Sequence, residues 1–495
     1  MTKARTTGLW WKFAAVFAAG SLFGALTVIQ VVPPEQAGVT SVSDAGSKAG
    51  PSSLGGTGGP SVNQGGPTST TNPLAVPQQF QNLKCAPGQN GGTTDVGVTP
   101  TAINMATTVV KSGPGAAFLA DVQTAMEAVV NKVNHAGGIC GRRLVITYRD
   151  DGWSPTLGET FLKNFIQSGI FAIPVAPSSE GLNNLTNAHV ISEKGVPVVG
   201  TDGMLISQYQ QSWIWPVAVS TASSARLMVL KAKALGMNDY TKYSIVFDKN
   251  YKFGVEAADA FNAEVRRQFK HDVLGYNKDH NCQQNFCGIE AGQPSYGTDI
   301  NRFTGGKTHD SVVAMFLEPS TALVWMSSPD SPKPPNANNV DNPLVWGAQP
   351  LFTRDFAVKC QSSCDGMSIW TGYKPPIENY QYDAKVRQFV TDMRSTNPQA
   401  DVYNAFAEGG YVGMELLVKA LQKVGPYLTR ARLRAVLDSI TLQAGLTVDD
   451  NLRWTEGNHF AARCMQQFTI NYKGTFGGWR TGDTSCDKHP EYGTN

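Results

Sequence analysis

Several chemistries are missing from this 495-residue chain. Its seven histidines are scattered, no two form a helical metal pair, and there is no H-E-x-x-H stretch. No G-x-S-x-G run supplies a nucleophile elbow. "NRFTGGKTHD" ends like a phosphate loop, but Asn301 stands where the first glycine belongs, so the backbone cradle is incomplete. Charge is sparse at 16% of residues and nearly balanced at a net +2. No basic field is present to meet nucleic acid, and there is no acidic tail. An enzyme here would have to work with no identifiable nucleophile, metal or cofactor, and none of the three is expected.

The amino terminus indicates the compartment. Residues 13–32, "FAAVFAAGSLFGALTVIQVV", carry no charge. At about 1.5 Å per helical residue they span the roughly 30 Å hydrocarbon core. Lys3, Arg5 and Lys12 place residues 1–12 on the cytoplasmic side, and Trp10 and Trp11 sit at an interfacial belt. A cleavable signal peptide is the rival reading, but its apolar region runs only about 7–15 residues. "VVPPEQAG" offers no clean cleavage site, and the first cysteine, Cys85, comes too late for lipidation. A single-pass transmembrane anchor is therefore expected, and both readings export the rest. Residues 33–84 are Gly, Ser, Thr and Pro rich with almost no charge or aromatic residue. They cannot bury enough apolar surface to offset ordering entropy, so they read as a flexible linker.

From Asp95 onward the pattern is α/β. "TAINMATTVV" reads as a strand. Phe118, Val122, Ala125, Met126, Val129 and Val133 recur at helical spacing, with Gly137 as the stop. "RLVITY" is a second strand. Ser154 caps a helix that has Pro155 in its first turn and Leu157, Phe161, Leu162 and Phe165 on one face. "FAIPVA", a helix over 180–194 and "VPVVG" complete the alternation. Apolar strands alternating with helices predict a parallel sheet covered on both faces, with ligands beyond the carboxyl ends of the strands. Asp150 and Asp151 lie at that edge and read as capping and loop-ordering groups.

In an exported protein the eight cysteines are expected to be oxidised. Cys85 and Cys140 precede neighbouring strands and are paired on that ground. Cys282 with Cys287, and Cys360 with Cys364, read as two small disulfide loops. A shared zinc site is the alternative, disfavoured by spacing and compartment. Cys464 and Cys486 staple the C-terminus.

The run from "INMATTVVKSGPGAAF" through "GGICGRRLVITYRDDGWSP" to "APSSEGLNNL" and "GVPVVG" resembles type I periplasmic binding proteins. The similar group is the leucine/isoleucine/valine-binding solute receptors of ABC transporters. The resemblance covers about residues 98–479 and is most distinctive in the first lobe. It implies two Rossmann-like lobes joined by three crossovers, near 217–221, 351–357 and 444–446. Residues 85–217 begin lobe 1, 218–351 begin lobe 2, 352–444 return to lobe 1, and 445–495 finish lobe 2 and the tail.

Carried over by position, Ser178, Ser179 and Thr201 meet a ligand carboxylate. Asp202 stands where a small or apolar residue is common. Phe118 covers the ligand side chain, and Phe253 is the hinge-side aromatic of lobe 2. Glu318, with Asp299 as the alternative, answers the acid that holds an ammonium. The function implied is a membrane-tethered extracytoplasmic receptor that clamps an amino acid, amide or short organic acid for delivery to an ABC permease. A ligand-sensing ectodomain acting through a partner signalling protein is the alternative. A hydrolase on a borrowed fold is a third reading.

Overall fold

The computed structural model describes residues 72–303 and 310–494. The expected anchor and most of the linker lie outside the described residues. Among the described residues no helix is long and apolar enough to cross a membrane.

In lobe 1, β1 (Ala102–Val109) and β2 (Arg143–Asp150) run parallel in register from Ala102–Arg143 to Val109–Asp150. β3 (Ile173–Pro174), β4 (Val198–Val199) and β5 (Ile214–Trp215) form a parallel set in that order. The Phe171 amide donates to the Asn104 carbonyl at 2.8 Å, joining the two sets. The expected first helix divides into α1 (Ala116–Leu119) and α2 (Val122–His135). Gly137 takes φ +95° just beyond the end of α2, where a helix commonly stops in the left-handed region.

α3 (Pro155–Gln167) starts as expected: Ser154 Oγ accepts from the Leu157 amide, with Pro155 in the first turn. Its buried ridge differs from the expected face. Leu157 is exposed, Phe161 and Phe165 are half-buried, and Gly158, Leu162 and Ile166 face inward. The reason is close packing on α4 (Ser179–Asn187): a Cβ on Gly181 would lie 2.7 Å from the Gly158 Cα. The helix expected over 180–194 also breaks, because His189 adopts φ +57° and α5 (Val190–Lys194) starts afresh.

After β5 the chain crosses to lobe 2, where α6 (Thr221–Ala234) packs on α7 (Lys252–Phe269). The lobe 2 strands are β6 (Tyr243–Asp248), β7 (Phe286–Ile289), β8 (Val312–Phe316), β9 (Leu344–Gly347) and β10 (Ser368–Thr371). α8 (Gly297–Arg302), α9 (Pro319–Ser327) and α10 (Arg354–Cys360) connect them. The chain returns to lobe 1 with α11 (Ala384–Thr396), α12 (Ala405–Val424) and α13 (Arg430–Leu437). The hairpin of β11 (Thr441–Leu442) and β12 (Leu452–Arg453) follows, and β13 (Cys464–Tyr472) and β14 (Phe476–Cys486) finish lobe 2. The lobe 2 sheet has order β14-β13-β10-β9-β8-β6-β7.

The expected return near 351–357 is therefore wrong. β10 pairs parallel with β9 and antiparallel with β13, so residues 352–371 belong to lobe 2. The chain leaves lobe 2 at Gly372–Lys374, beside its final re-entry: Val448 N donates to Gly372 O and Lys374 N to Leu446 O, both at 2.8 Å. α11 and α12 then pack on α2. Disulfides join Cys85–Cys140, Cys282–Cys287, Cys360–Cys364 and Cys464–Cys486, and no cysteine is free.

Candidate functional site

The loops after β1 and β2 lock onto each other. Asp150 Oδ1 accepts from the Lys111 amide at 2.9 Å and the Gly152 amide at 3.1 Å. Asp151 Oδ1 accepts from the Trp153 amide at 2.9 Å, which holds Trp153 at φ +63°. That conformation turns a large buried ring into the space between the lobes. Gly115 makes room for it, since a Cβ there would sit 2.7 Å from Trp153 Cβ. Burial raises the Asp151 carboxyl above its ordinary range, against the pull of the Trp153 amide and the Thr108 and Ser178 hydroxyls. Ser178, expected on a ligand, thus lies against Asp151.

Ser179, Thr201 and Asp202, from the loops after β3 and β4, converge on Gln208. The Ser179 hydroxyl donates to Asp202 Oδ1, and the Thr201 hydroxyl to Gln208 Oε1. Gln208 Nε2 donates to Ser179 Oγ at 3.1 Å and to Asp202 Oδ1 at 3.3 Å. The Met204 amide reaches the same Oδ1 at 3.2 Å. All four side chains are buried. Burial pushes the Asp202 carboxyl up to about 7, against these donors. Gln208 was not legible from the sequence; it lies in a short turn (Ile206–Gln208) without a motif of its own.

The lobes are closed on each other through an aromatic floor and a two-way latch. Trp153 stacks on Tyr251 with centroids 4.1 Å apart and lies 5.7 Å from Phe253, both in lobe 2. Phe118 meets Trp153 edge-on at 5.1 Å and Phe406 at 5.3 Å. The N-terminus of α7 has no side-chain cap of its own. Glu180 of lobe 1 takes that role: its Oε1 accepts from the Lys252 amide at 2.7 Å and the Phe253 amide at 3.3 Å. A carboxylate at a helix N-terminus satisfies orphan donors and favours the dipole. In return, Glu256 of α7 accepts from the Ile206 amide of lobe 1 at 2.9 Å, and Lys252 Nζ donates to Asn183 Oδ1 at 3.1 Å. Burial raises both latch carboxyls, Glu256 to about 7.

Between the lobes remains a cavity of about 20 Å³, lined by Asp202, Met204, Ser224, Phe253, Phe406 and Gln349 among others. Phe253 therefore reaches the cleft, and Phe118 supports it through Phe406. Glu318 does not line it. Its carboxylate is spent on its own helix, accepting from the Ser320 amide at 2.7 Å and the Thr321 amide at 2.6 Å as the cap of α9. Asp299 lies in α8 and does not line the cavity either. Among the described residues no group of side chains is arranged to hold a metal ion.

A family model described as "Periplasmic binding protein" matches residues 102–278 and 353–475, more than half of the chain. The chain belongs to the periplasmic binding protein family. That family binds solutes and is not enzymatic, and its members work outside the cytoplasm, in keeping with the four disulfides. The chain is 28% identical over 321 residues to the Leu/Ile/Val-binding protein homolog 3 of Brucella melitensis, covering 63% of this chain and 77% of that protein. It spans only 27% of the length of Leu/Ile/Val-binding protein homolog 1 of Brucella abortus, at 29% identity. Two solved structures share the fold. The branched-chain amino acid ABC transporter protein of Thermus thermophilus with bound valine has TM-score 0.65 and 13% identity, covering 79% of this chain and 98% of that one. The fatty acid ABC transporter substrate-binding protein of Thermomonospora curvata has TM-score 0.64 and 14% identity, covering 81% and 97%.

Proposed function

We propose that this chain is the solute receptor of an ABC importer, held outside the cytoplasm by the apolar segment at 13–32. It closes its two lobes over a small polar ligand and offers the closed form to a permease. The observation that carries this reading is the latch: each lobe supplies a carboxylate that accepts from backbone amides of the other, Glu180 to α7 and Glu256 to Ile206. Such contacts exist only when the lobes meet, so a ligand that touches both lobes can add to them, and the closed surfaces meet at the carboxyl ends of the strands, where α/β folds bind ligands. The valine-bound and fatty-acid neighbours support amino acids and organic acids as the classes to try. The 20 Å³ left in the closed form holds about one water-sized group, so a whole ligand enters through lobe opening.

The test is a thermal-shift screen of amino acids, amides and short organic acids, followed by small-angle scattering. A binder at about 100 times its dissociation constant adds about 2.7 kcal/mol and raises the closed population. Ligand-induced stabilisation with no change in scattering, or no stabilisation across the screen, counts against the proposal.

A further inference from the structure

A second hollow, of about 430 Å³, lies where α10 of lobe 2 meets the segment between α11 and α12 of lobe 1, and it shares no lining residue with the cleft cavity. Its charged lining is Arg354 and Asp355 from lobe 2, with Arg394 and Asp401 from lobe 1. Both acids are already engaged. Asp355 pairs with Lys359, one turn further along α10, at 2.8 Å. Asp401 Oδ2 accepts from the Arg354 amide at 3.1 Å, and its Oδ1 from the Tyr403 amide at 2.9 Å. Burial raises the Asp401 carboxyl above its ordinary range, against the pull of those amides. The two arginines are exposed and differ from the acids in this respect. Arg354 lays its guanidinium over the Tyr403 ring, 5.8 Å from the centroid. Stacking of that kind uses the face of the group and leaves its in-plane N–H donors available. Among the described residues, neither the Arg354 nor the Arg394 guanidinium has a hydrogen bond or an ion pair.

We propose that this hollow is a second binding site, and that it takes a small doubly charged anion, a phosphate group or a dicarboxylate, between one arginine from each lobe. A guanidinium offers a planar fork of N–H donors that matches the oxygens of carboxylate and phosphate. Two such forks line one hollow while both acids beside them are engaged elsewhere, so the local field is positive. It favours a dianion over a monoanion and repels a cation. Gln399, which also lines the hollow, adds a neutral donor. The volume falls within the roughly 300–1,000 Å³ of small-molecule sites. The proposal does not depend on what the cleft binds, and it stands or falls apart from the solute-receptor reading.

The probes are sodium phosphate, sodium succinate and sodium acetate in mildly alkaline buffer, each compared with sodium chloride at matched ionic strength. On the full chain, calorimetry should show saturable binding of phosphate or succinate, at least about fivefold tighter than acetate. Tighter phosphate marks a phosphoryl ligand, and tighter succinate a dicarboxylate. Arg354→Gln and Arg394→Gln should each weaken the preferred dianion by at least about fivefold, with the melting temperature in chloride unchanged. Hydrogen exchange with that dianion bound should slow at both 354–360 and 394–403, one segment from each lobe. If a variant does not fold, the exchange pattern of the wild type still decides. Stabilisation that only follows ionic strength, acetate binding as tightly as the dianions, binding that survives in both variants, or protection confined to one segment overturns the proposal.

Discussion

Glu256 should oppose closure at high pH even though it is part of the latch. Its carboxylate is 7% exposed, and burial pushes it to about 7, ahead of the Ile206 amide and Lys252, which pull it down. Opening the lobes returns it to water and to its ordinary value near 4.5. A carboxyl raised on closure leaves its charged form penalised in the closed state. The penalty is therefore full above pH 7, fades as pH falls, and is gone below about 4.5. The difference between about 7 and 4.5 is worth about 3 kcal/mol at pH 8, and by the same linkage about 1 kcal/mol at pH 5. Glu256→Gln keeps an oxygen for the Ile206 amide and removes the charge. At pH 8 the glutamine variant should be the more closed of the two by scattering, and should bind a cleft ligand up to about a hundredfold tighter. At pH 5 the gap should shrink to about fivefold. A variant that is more open than the wild type at pH 8, or a difference that grows toward pH 5, refutes the reasoning.

Trp153→Ala removes the ring that stacks on Tyr251 and should destabilise the closed form by about 3–5 kcal/mol, seen as an expanded scattering profile in the presence of ligand. Arg226, 2% exposed, holds Asp487 at 2.5 Å and the Gly493 carbonyl at 2.6 Å. Arg226→Met leaves a buried unpaired aspartate, should cost about 3–5 kcal/mol, and should make the C-terminal segment the first site of limited proteolysis. Replacing Cys464 and Cys486 by serine opens a 22-residue loop and should lower the unfolding free energy in urea by about 3 kcal/mol. N-terminal sequencing of membrane-extracted protein should begin at Met1 or Thr2; a start near Ala37 would show a cleaved leader.

What the sequence determines here is what short windows encode. Ser154 with Pro155 sets a helix start because a hydroxyl three residues from a free amide is a local geometry. The alternation of apolar strands and helices through Val199 marks lobe 1 because burial on both faces demands continuous apolar runs. Ser179, Thr201 and Asp202 are legible as a group because loops at one end of a parallel sheet must converge. Trp153 follows Asp150 and Asp151 in sequence, yet only the fold shows that those aspartates aim it at Tyr251, almost 100 positions away. Gln208, Ser224, Gln349 and Phe406 join the cleft from separate segments, with no spacing that links them. Glu318 has the right chemistry for an ammonium and is captured by its own helix, where the Ser320 and Thr321 amides donate to it at 2.7 and 2.6 Å. The lobe to which β10 belongs is undetermined locally for a related reason. A four-residue apolar strand fits either lobe, and only its pairing with β9 and β13, the latter about 100 residues further on, decides which. Local hydrogen bonding and periodicity determine elements; the contacts that join the two lobes, Trp153 on Tyr251 and Glu180 on the start of α7, link distant segments and exist only once the lobes have closed.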